Sequence, residues 1–267
     1  MNLVSQIIKE HINNIRLIFL MAKYNTKSKY QMHYLGAFWQ FLLPIIQIGI
    51  YWFVFGIGIR GGAPVGEVPY FIWLLTGLVP WMFIGPTITQ AANSVYAKIS
   101  LVSKMKFPVS ILPTITIVGN SINFIVMLII LQLLLLLNGL YPTDQLWQIA
   151  YYLVATGVFM FSVSLLFSTL STIVRDFQNM IQSFIRMLFF LTPILWDPSR
   201  LPEHFHNILK LNPIYYLVVG YRKTFLGQGW FFEDLTYTFY FWSLTLFILF
   251  IGSMMHMKFR DKFIDYI

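Results

Sequence analysis

The chain has 267 residues, of which 58% are hydrophobic, 18% aromatic and only 10% charged, with a formal charge of +8. That apolar content excludes an ordinary soluble domain and implies a bilayer protein, with room for about six spans of roughly 20 residues and no second folded domain. The absence of cysteine excludes disulfides, thiolate metal sites and thiol catalysis. The positive charge is spread along the chain instead of clustered on a soluble face, so membrane topology explains it better than nucleic-acid binding.

Taken in order, residues 4–22 place Val4, Ile7, Ile8, Ile12, Ile15, Ile18, Phe19 and Ala22 on one helical face, with Lys9, Glu10, Asn13, Asn14 and Arg16 opposite. This pattern predicts a helix lying in the membrane interface, followed by the basic tract Lys23, Lys27 and Lys29; packing against other protein is the alternative. No long apolar core occurs in the first 34 residues, so a cleaved signal peptide is not expected.

The first span is expected at about residues 39–59, with Pro44 near its entry. The second, about 70–90, contains Pro80 and Pro86 and is expected to be bent or broken. Residues 91–113 then interrupt the apolar pattern with Lys98, Lys104 and Lys106 and no acidic residue, ending a short helix at Pro108; basic bias marks a cytoplasmic segment. The third span, about 115–137, is a nearly unbroken Ile/Leu run that should face lipid. A fourth at about 149–170 leads to a turn holding Arg175 and Asp176.

The fifth apolar run, 181–196, contains Arg186 and Thr192-Pro193 and barely reaches across a bilayer. Residues 197–235 are rich in proline yet too apolar for a free loop, and are read as short helices dipping back into the outer leaflet under cover of other protein. The last span, about 237–257, ends in Lys258, Arg260 and Lys262. With both termini cytoplasmic, the inner segments carry twelve basic residues and the outer five, which sets an even number of spans.

Little in the sequence carries chemistry. No Asp or Glu lies inside a span, which argues against proton or sodium coupling. No phosphate-binding Gly-x-x-x-x-Gly-Lys-Ser/Thr loop occurs, so the chain has no such means of binding ATP. Glu203-His204-Phe205-His206 lacks a third convergent metal ligand, and Glu233-Asp234 reads as solvated charge. Tyr70, Trp73, Trp81, Tyr151, Tyr152, Trp196, Trp230 and Trp242 are candidate rings along a polymer pathway, although interfacial anchoring explains most rings of this kind. Arg16 and Arg186 are candidates for meeting a lipid diphosphate or forming a gate; for Arg186, snorkelling to the inner headgroups is the alternative.

Several landmarks together resemble the ABC-2 type permeases that export polysaccharides. They are Gly77-Leu78-Val79-Pro80-Trp81, Asn93, Lys104-Met105-Lys106-Phe107-Pro108, Arg175-Asp176, Pro193, Leu211-Asn212-Pro213 and Gly220-Tyr221-Arg222. Within that family, residues 211–216 with 220–222 look most like the permease of wall teichoic acid exporters; O-antigen and capsular polysaccharide permeases are the nearest alternative.

The resemblance implies an all-α, six-span domain covering residues 1–267, with an interfacial segment at 1–34, a coupling loop at 91–113 and a re-entrant region at 197–235. It implies a bacterial plasma-membrane half-transporter that pairs with a second copy and with two separate ATPase subunits, and is not an enzyme by itself. ATP and magnesium would be bound by the ATPase, and no cofactor by this chain. The coupling contact is expected at Asn93, Tyr96, Lys98, Lys104, Lys106 and Phe107, and the turns at Pro108, Arg175, Asp176, Asn212, Pro213 and Arg222. The cargo would be a glycopolymer on an undecaprenyl diphosphate carrier. Competing readings are a drug-exporting permease of the same class, an integral-membrane enzyme acting on polyprenyl-linked sugars, and a structural assembly subunit.

Overall fold

The computed structural model describes residues 3–31, 36–99 and 107–266, and these are helical almost throughout. Helices α1 (Leu3–Asn13) and α2 (Ile15–Gln31) meet at Asn14. Helix α3 (Trp39–Tyr51) runs through Pro44 and widens into a π-helical segment over Trp52–Ile59. Then follow α4 (Tyr70–Ala92), α5 (Ile111–Leu137), α6 (Gln148–Ile173), α7 (Phe177–Leu191), α8 (Glu203–Lys210), α9 (Pro213–Leu226) and α10 (Leu235–Phe259). Among the described residues five helical stretches are long and apolar enough to cross a membrane: those containing α3, α4, α5, α6 and α10.

Helix α4 is the centre of the bundle, with 83% of its apolar window buried against α5, α6, α7 and α9. It stays helical across Pro80 and Pro86 where a break was expected. Each proline removes one backbone hydrogen bond, but packing on several sides holds the helix at its buried positions. By contrast α3 has only 11% of its window buried and α5 only 22%, so both present aliphatic faces outward, as the Ile/Leu run of α5 predicts. Helix α6 packs most extensively on α10. Its Ser168, Thr169 and Thr172 hydroxyls bond backbone carbonyls one turn back, so these three enter an apolar bundle with their donors paired.

The chain termini share one end of the bundle. Arg260 Nη1 donates to Glu10 Oε1 at 2.6 Å, and the Ser110 hydroxyl donates to Glu10 Oε2, also at 2.6 Å. One carboxylate thus ties α1 to the start of α5 and to the end of α10. Beneath it Ile18, Ala22, Val95, Ile111, Leu112, Ile115 and Phe263 form a second apolar core. The predicted interfacial face divides accordingly. Ile7, Ile18 and Ala22 pack on protein, while Ile8, Ile12, Ile15 and Phe19 remain exposed.

Helix α7 has 15 residues, about 22 Å of helix against a hydrocarbon core of about 30 Å. Its start is fixed to α4 by Gln178 Nε2 donating to the Thr89 carbonyl at 3.0 Å. The extended chain beyond it is fixed to the opposite end of α4 by Tyr70 Oη donating to the Leu195 carbonyl at 2.7 Å.

Candidate functional site

The end of the bundle that holds both termini also holds the predicted coupling loop. Helix α4 stops at Ala92, and a 3-10 turn over Tyr96–Lys98 follows. Ser94 and Val95 are buried, whereas Ala97 is exposed and Tyr96 and Lys98 are half-buried. Loss of solvent lowers the Lys98 ammonium below its ordinary pKa. Phe107 packs on the terminal core, and Pro108 precedes the turn into α5. Lys104 and Lys106 lie outside the described residues.

Arg175, in the short connection between α6 and α7, is brought to this turn by the chain reversal. Its guanidinium lies 3.5 Å from the centroid of the Tyr96 ring, and Nη1 donates to Asn93 Oδ1 at 3.3 Å. Asp176 takes the position before α7 and accepts the Asn179 and Met180 backbone amides through its carbonyl. Together with Gln178–Thr89, these contacts fasten the loop after α4 to the first turn of α7. Asn93, Tyr96 and Arg175 were each identified in the sequence; their direct contact joins residues about eighty positions apart and was not.

At the opposite end Arg222 stands inside α9 and is buried. It donates to the Pro193 carbonyl at 2.7 Å, and more distantly to the Ile194 carbonyl and the Thr76 hydroxyl. Its guanidinium lies 3.7 Å from the Trp73 ring centroid. The charge sits just past the C-terminus of α7, where the helix dipole favours a cation. Two glycines of the motifs make room here: a Cβ on Gly77 would fall on the Arg222 guanidinium, and one on Gly220 would fall in the Tyr152 ring. Asn212 caps α9 by accepting the Ile214 amide at 3.0 Å and donates to Thr192 Oγ1 at 2.9 Å, and Pro213 takes the first helical position.

The candidate pathway rings fall in several places. Tyr70 and Trp73 stack on each other, 3% and 5% exposed, in the Arg222 cluster within the protomer. Trp81 packs on Phe189, with centroids 5.5 Å apart. Trp196 donates through Nε1 to the Phe190 carbonyl, and Tyr151 bonds both Tyr216 and Trp242. Arg16 is exposed on α2. Arg186 is exposed on α7 among Phe184, Met187 and Phe190 and, among the described residues, is bonded only to the Gln182 carbonyl one turn back. Among the described residues no group of three His, Asp or Glu side chains is placed to hold a metal ion.

Five helical stretches long and apolar enough to cross a membrane, among the described residues, define a multi-pass membrane protein. Residues 16–226 match the family described as ABC-2 type transporter, and the chain belongs to that family. It is the non-catalytic transmembrane subunit of an ABC exporter, working with an ABC ATPase. Its curated relatives include two O-antigen export system permease proteins RfbA. The one from Klebsiella pneumoniae is 26% identical over 245 residues, covering 91% of this chain and 93% of the relative. That from Myxococcus xanthus is 26% identical over 214 residues, covering 78% and 80%.

Proposed function

We propose that this chain is the membrane half of an ATP-driven exporter of a lipid-linked polysaccharide of the O-antigen type, acting as a homodimer above two ATPase subunits in a bacterial plasma membrane. The single observation that carries the reading is the latch of Arg175 on Asn93 and Tyr96. It gives a push on the loop after α4 a rigid route into α7. Nucleotide-driven closure of the ATPase would press the loop containing Lys98, Lys104, Lys106 and Phe107, tilt α7, and part the two copies.

Six crossings with both termini cytoplasmic suit this reading. The Glu10–Arg260 pair joins the first helix to the end of the last, which supports an even number of crossings. Helix α7 with its extension to Leu195 supplies the sixth. Its two ends bond Thr89 and Tyr70 of α4, nineteen residues and about 29 Å apart, so the segment covers the full height of α4. Helix α9 then re-enters from the outer side beneath the cover of α4, α6 and α10, with the largely exposed α8 leading into it. Arg186, a cation on the exposed apolar face of α7, is the residue we assign to the carrier diphosphate.

The likeness to wall teichoic acid exporters rests on residues 211–216 and 220–222. The cap of Asn212, the cluster of Arg222 and the close approach at Gly220 give those residues structural work that is independent of cargo. The relatives are O-antigen permeases, which favours the polysaccharide reading over the polyol phosphate one.

A cysteine introduced at exposed Ala97 tests the docking. With a short bifunctional maleimide it should cross-link to the ATPase subunit, while Tyr141→Cys, in the outer loop, should not. Equal cross-linking from both positions, or from Tyr141→Cys alone, would refute the assignment of the loop.

A further inference from the structure

A cleft runs between α3, α4 and α5 from the terminal end of the bundle upward, and its chemistry changes along its length. Its lowest part, about 210 Å³, is lined by Asn25, Gln40, Gln90 and Asn120 together with Lys98. The middle part, about 310 Å³, shares Gln40, Gln90, Asn120 and Asn123 with the first and adds Gln47 and the indole rings of Trp39 and Trp81. Above Val79 and Met127 the lining becomes wholly aliphatic and aromatic around Ile48, Leu75 and Leu134.

Of the carboxamides, Asn25, Gln47 and Gln90 are exposed, whereas Gln40, Asn120 and Asn123 are half-buried. Asn123 lies twelve residues into α5, about 18 Å along it. A carboxamide left unpaired in hydrocarbon costs roughly 2–7 kcal/mol, so polar side chains at this depth mark a pathway or a site. Here they are only partly used. Asn120 Nδ2 donates to Thr87 Oγ1 at 2.9 Å and to Gln90 Oε1 at 3.1 Å. Among the described residues the side chains of Gln40 and Asn123 have no hydrogen-bond partner, and the Asn120 carbonyl and Gln90 amide keep unused capacity.

Donors and acceptors are therefore presented together, beside two indole rings, with no carboxylate and with Lys98 as the one cation among the described lining residues. A phosphate-rich chain needs cations along its length, which this lining lacks. A hydrocarbon chain has no use for a row of carboxamides. Hydroxyl groups, which both donate and accept on a ring with apolar faces, match the set. The middle section is of the size of a small-ligand site, about 300 Å³ or more, and its polar lining gives way to the apolar part at Val79 and Met127.

We infer that this cleft is a saccharide-binding pocket, in which Gln40, Gln90, Asn120 and Asn123 hold an uncharged sugar segment of the cargo entering from the terminal end of the bundle. The inference rests on the exporter reading and adds to it a site that selects cargo by hydroxyls instead of phosphates, off the route of passage.

The chain has no cysteine, so single cysteines report directly. Permease carrying Asn123→Cys or Gln40→Cys is assembled with its ATPase in lipid nanodiscs and modified with a small water-soluble methanethiosulfonate. Tyr141→Cys, 75% exposed at the other end, serves as the control. The probes are saccharide chains released by mild acid from the cells' lipid-linked pool, a polyglycerol phosphate, and undecaprenyl diphosphate. At a probe concentration of about ten times Kd, the saccharide should slow modification at residue 123 or 40 about tenfold, following 1 + [L]/Kd, and leave residue 141 unaffected. Equal protection by undecaprenyl diphosphate or by polyglycerol phosphate overturns the proposal. So does disulfide formation between two copies through residue 123, which would make the cleft a dimer contact. If no probe protects either position while lipid-linked polysaccharide still stimulates ATP hydrolysis by the unsubstituted complex, the pocket is refuted and the exporter reading stands. Absence of that stimulation refutes both.

Discussion

The Arg175 guanidinium lies over the Tyr96 ring, 3.5 Å from its centroid, and bonds the Asn93 carboxamide from the same position. An exposed contact of this type contributes about 1 kcal/mol, too little to hold the fold and enough to bias a movement between two arrangements. Arg175→Ala and Tyr96→Leu should each lower polymer exported per ATP hydrolysed about fivefold, the factor that corresponds to 1 kcal/mol. Arg175→Lys should recover part of the loss, because it keeps the charge without the planar fork. Paired export and hydrolysis assays check this, and a parallel fall in both rates would reduce the contact to a structural one.

Arg222 and Gly77 form a second pair whose substitution effects should not add. Arg222→Ala strips the Pro193 carbonyl of a charged donor and uncovers Trp73, a loss of about 3 kcal/mol. Gly77→Ala places a methyl group where the guanidinium lies. Thermal unfolding in detergent should show a lowered Tm for each, with the double substitution costing less than the sum. Full additivity would mean that the two residues do not share one space.

The docking of α1 should weaken in mild acid. His11 Nδ1 lies 2.8 Å from the Ile7 carbonyl and so carries the proton, leaving Nε2 to accept from the Thr114 hydroxyl at 2.9 Å. Burial holds its pKa below the ordinary 6.5, against smaller opposing effects of the Ile7 carbonyl and Glu10. Arg260 and the buried His256, bonded to Thr169, are the other titratable groups beside this contact. A histidine that protonates more readily when undocked contributes stability that is complete above 6.5 and is lost as pH falls below it. Hydrogen-exchange protection of α1 should therefore drop between about pH 7.5 and pH 5.5, and His11→Gln should flatten the dependence.

Arg186→Ala removes the cation from the exposed face of α7 while touching no buried contact. If Arg186 receives the carrier diphosphate, the concentration of lipid-linked polysaccharide that half-stimulates ATP hydrolysis should rise about tenfold, as expected for the loss of one charge-assisted contact of about 1.4 kcal/mol. An unaltered half-stimulating concentration would remove Arg186 from the site.

Much of the architecture was legible because hydropathy reports directly on burial in lipid. The Ile/Leu run of α5 and the shortness of α7 were both readable before any coordinates. The break allowed for in α4 was not found, since Pro80 and Pro86 are judged locally while the helix is held by neighbours distant in sequence. The latch escaped for a related reason: Asn93, Tyr96 and Arg175 are separate features in one dimension. Arg222 was assigned to an outer turn by its proline-rich surroundings, and only packing shows why Gly77 and Gly220 accompany it. Gln40, Asn120 and Asn123 passed unnoticed because single carboxamides scattered through apolar runs carry no periodic signal.

The central claim, that a push on the loop after α4 moves a polysaccharide across the membrane, is tested most directly by reconstitution. Vesicles containing this chain and its ATPase are supplied with ATP and lipid-linked polysaccharide on the ATPase side, and polymer reaching the opposite side is measured together with phosphate release. The account predicts that polymer stimulates hydrolysis and becomes accessible on the far side only with ATP, and that Lys104→Glu with Lys106→Glu lowers both by weakening ATPase association. An intact complex that hydrolyses ATP without any response to the polymer, and delivers none across the membrane, would contradict it.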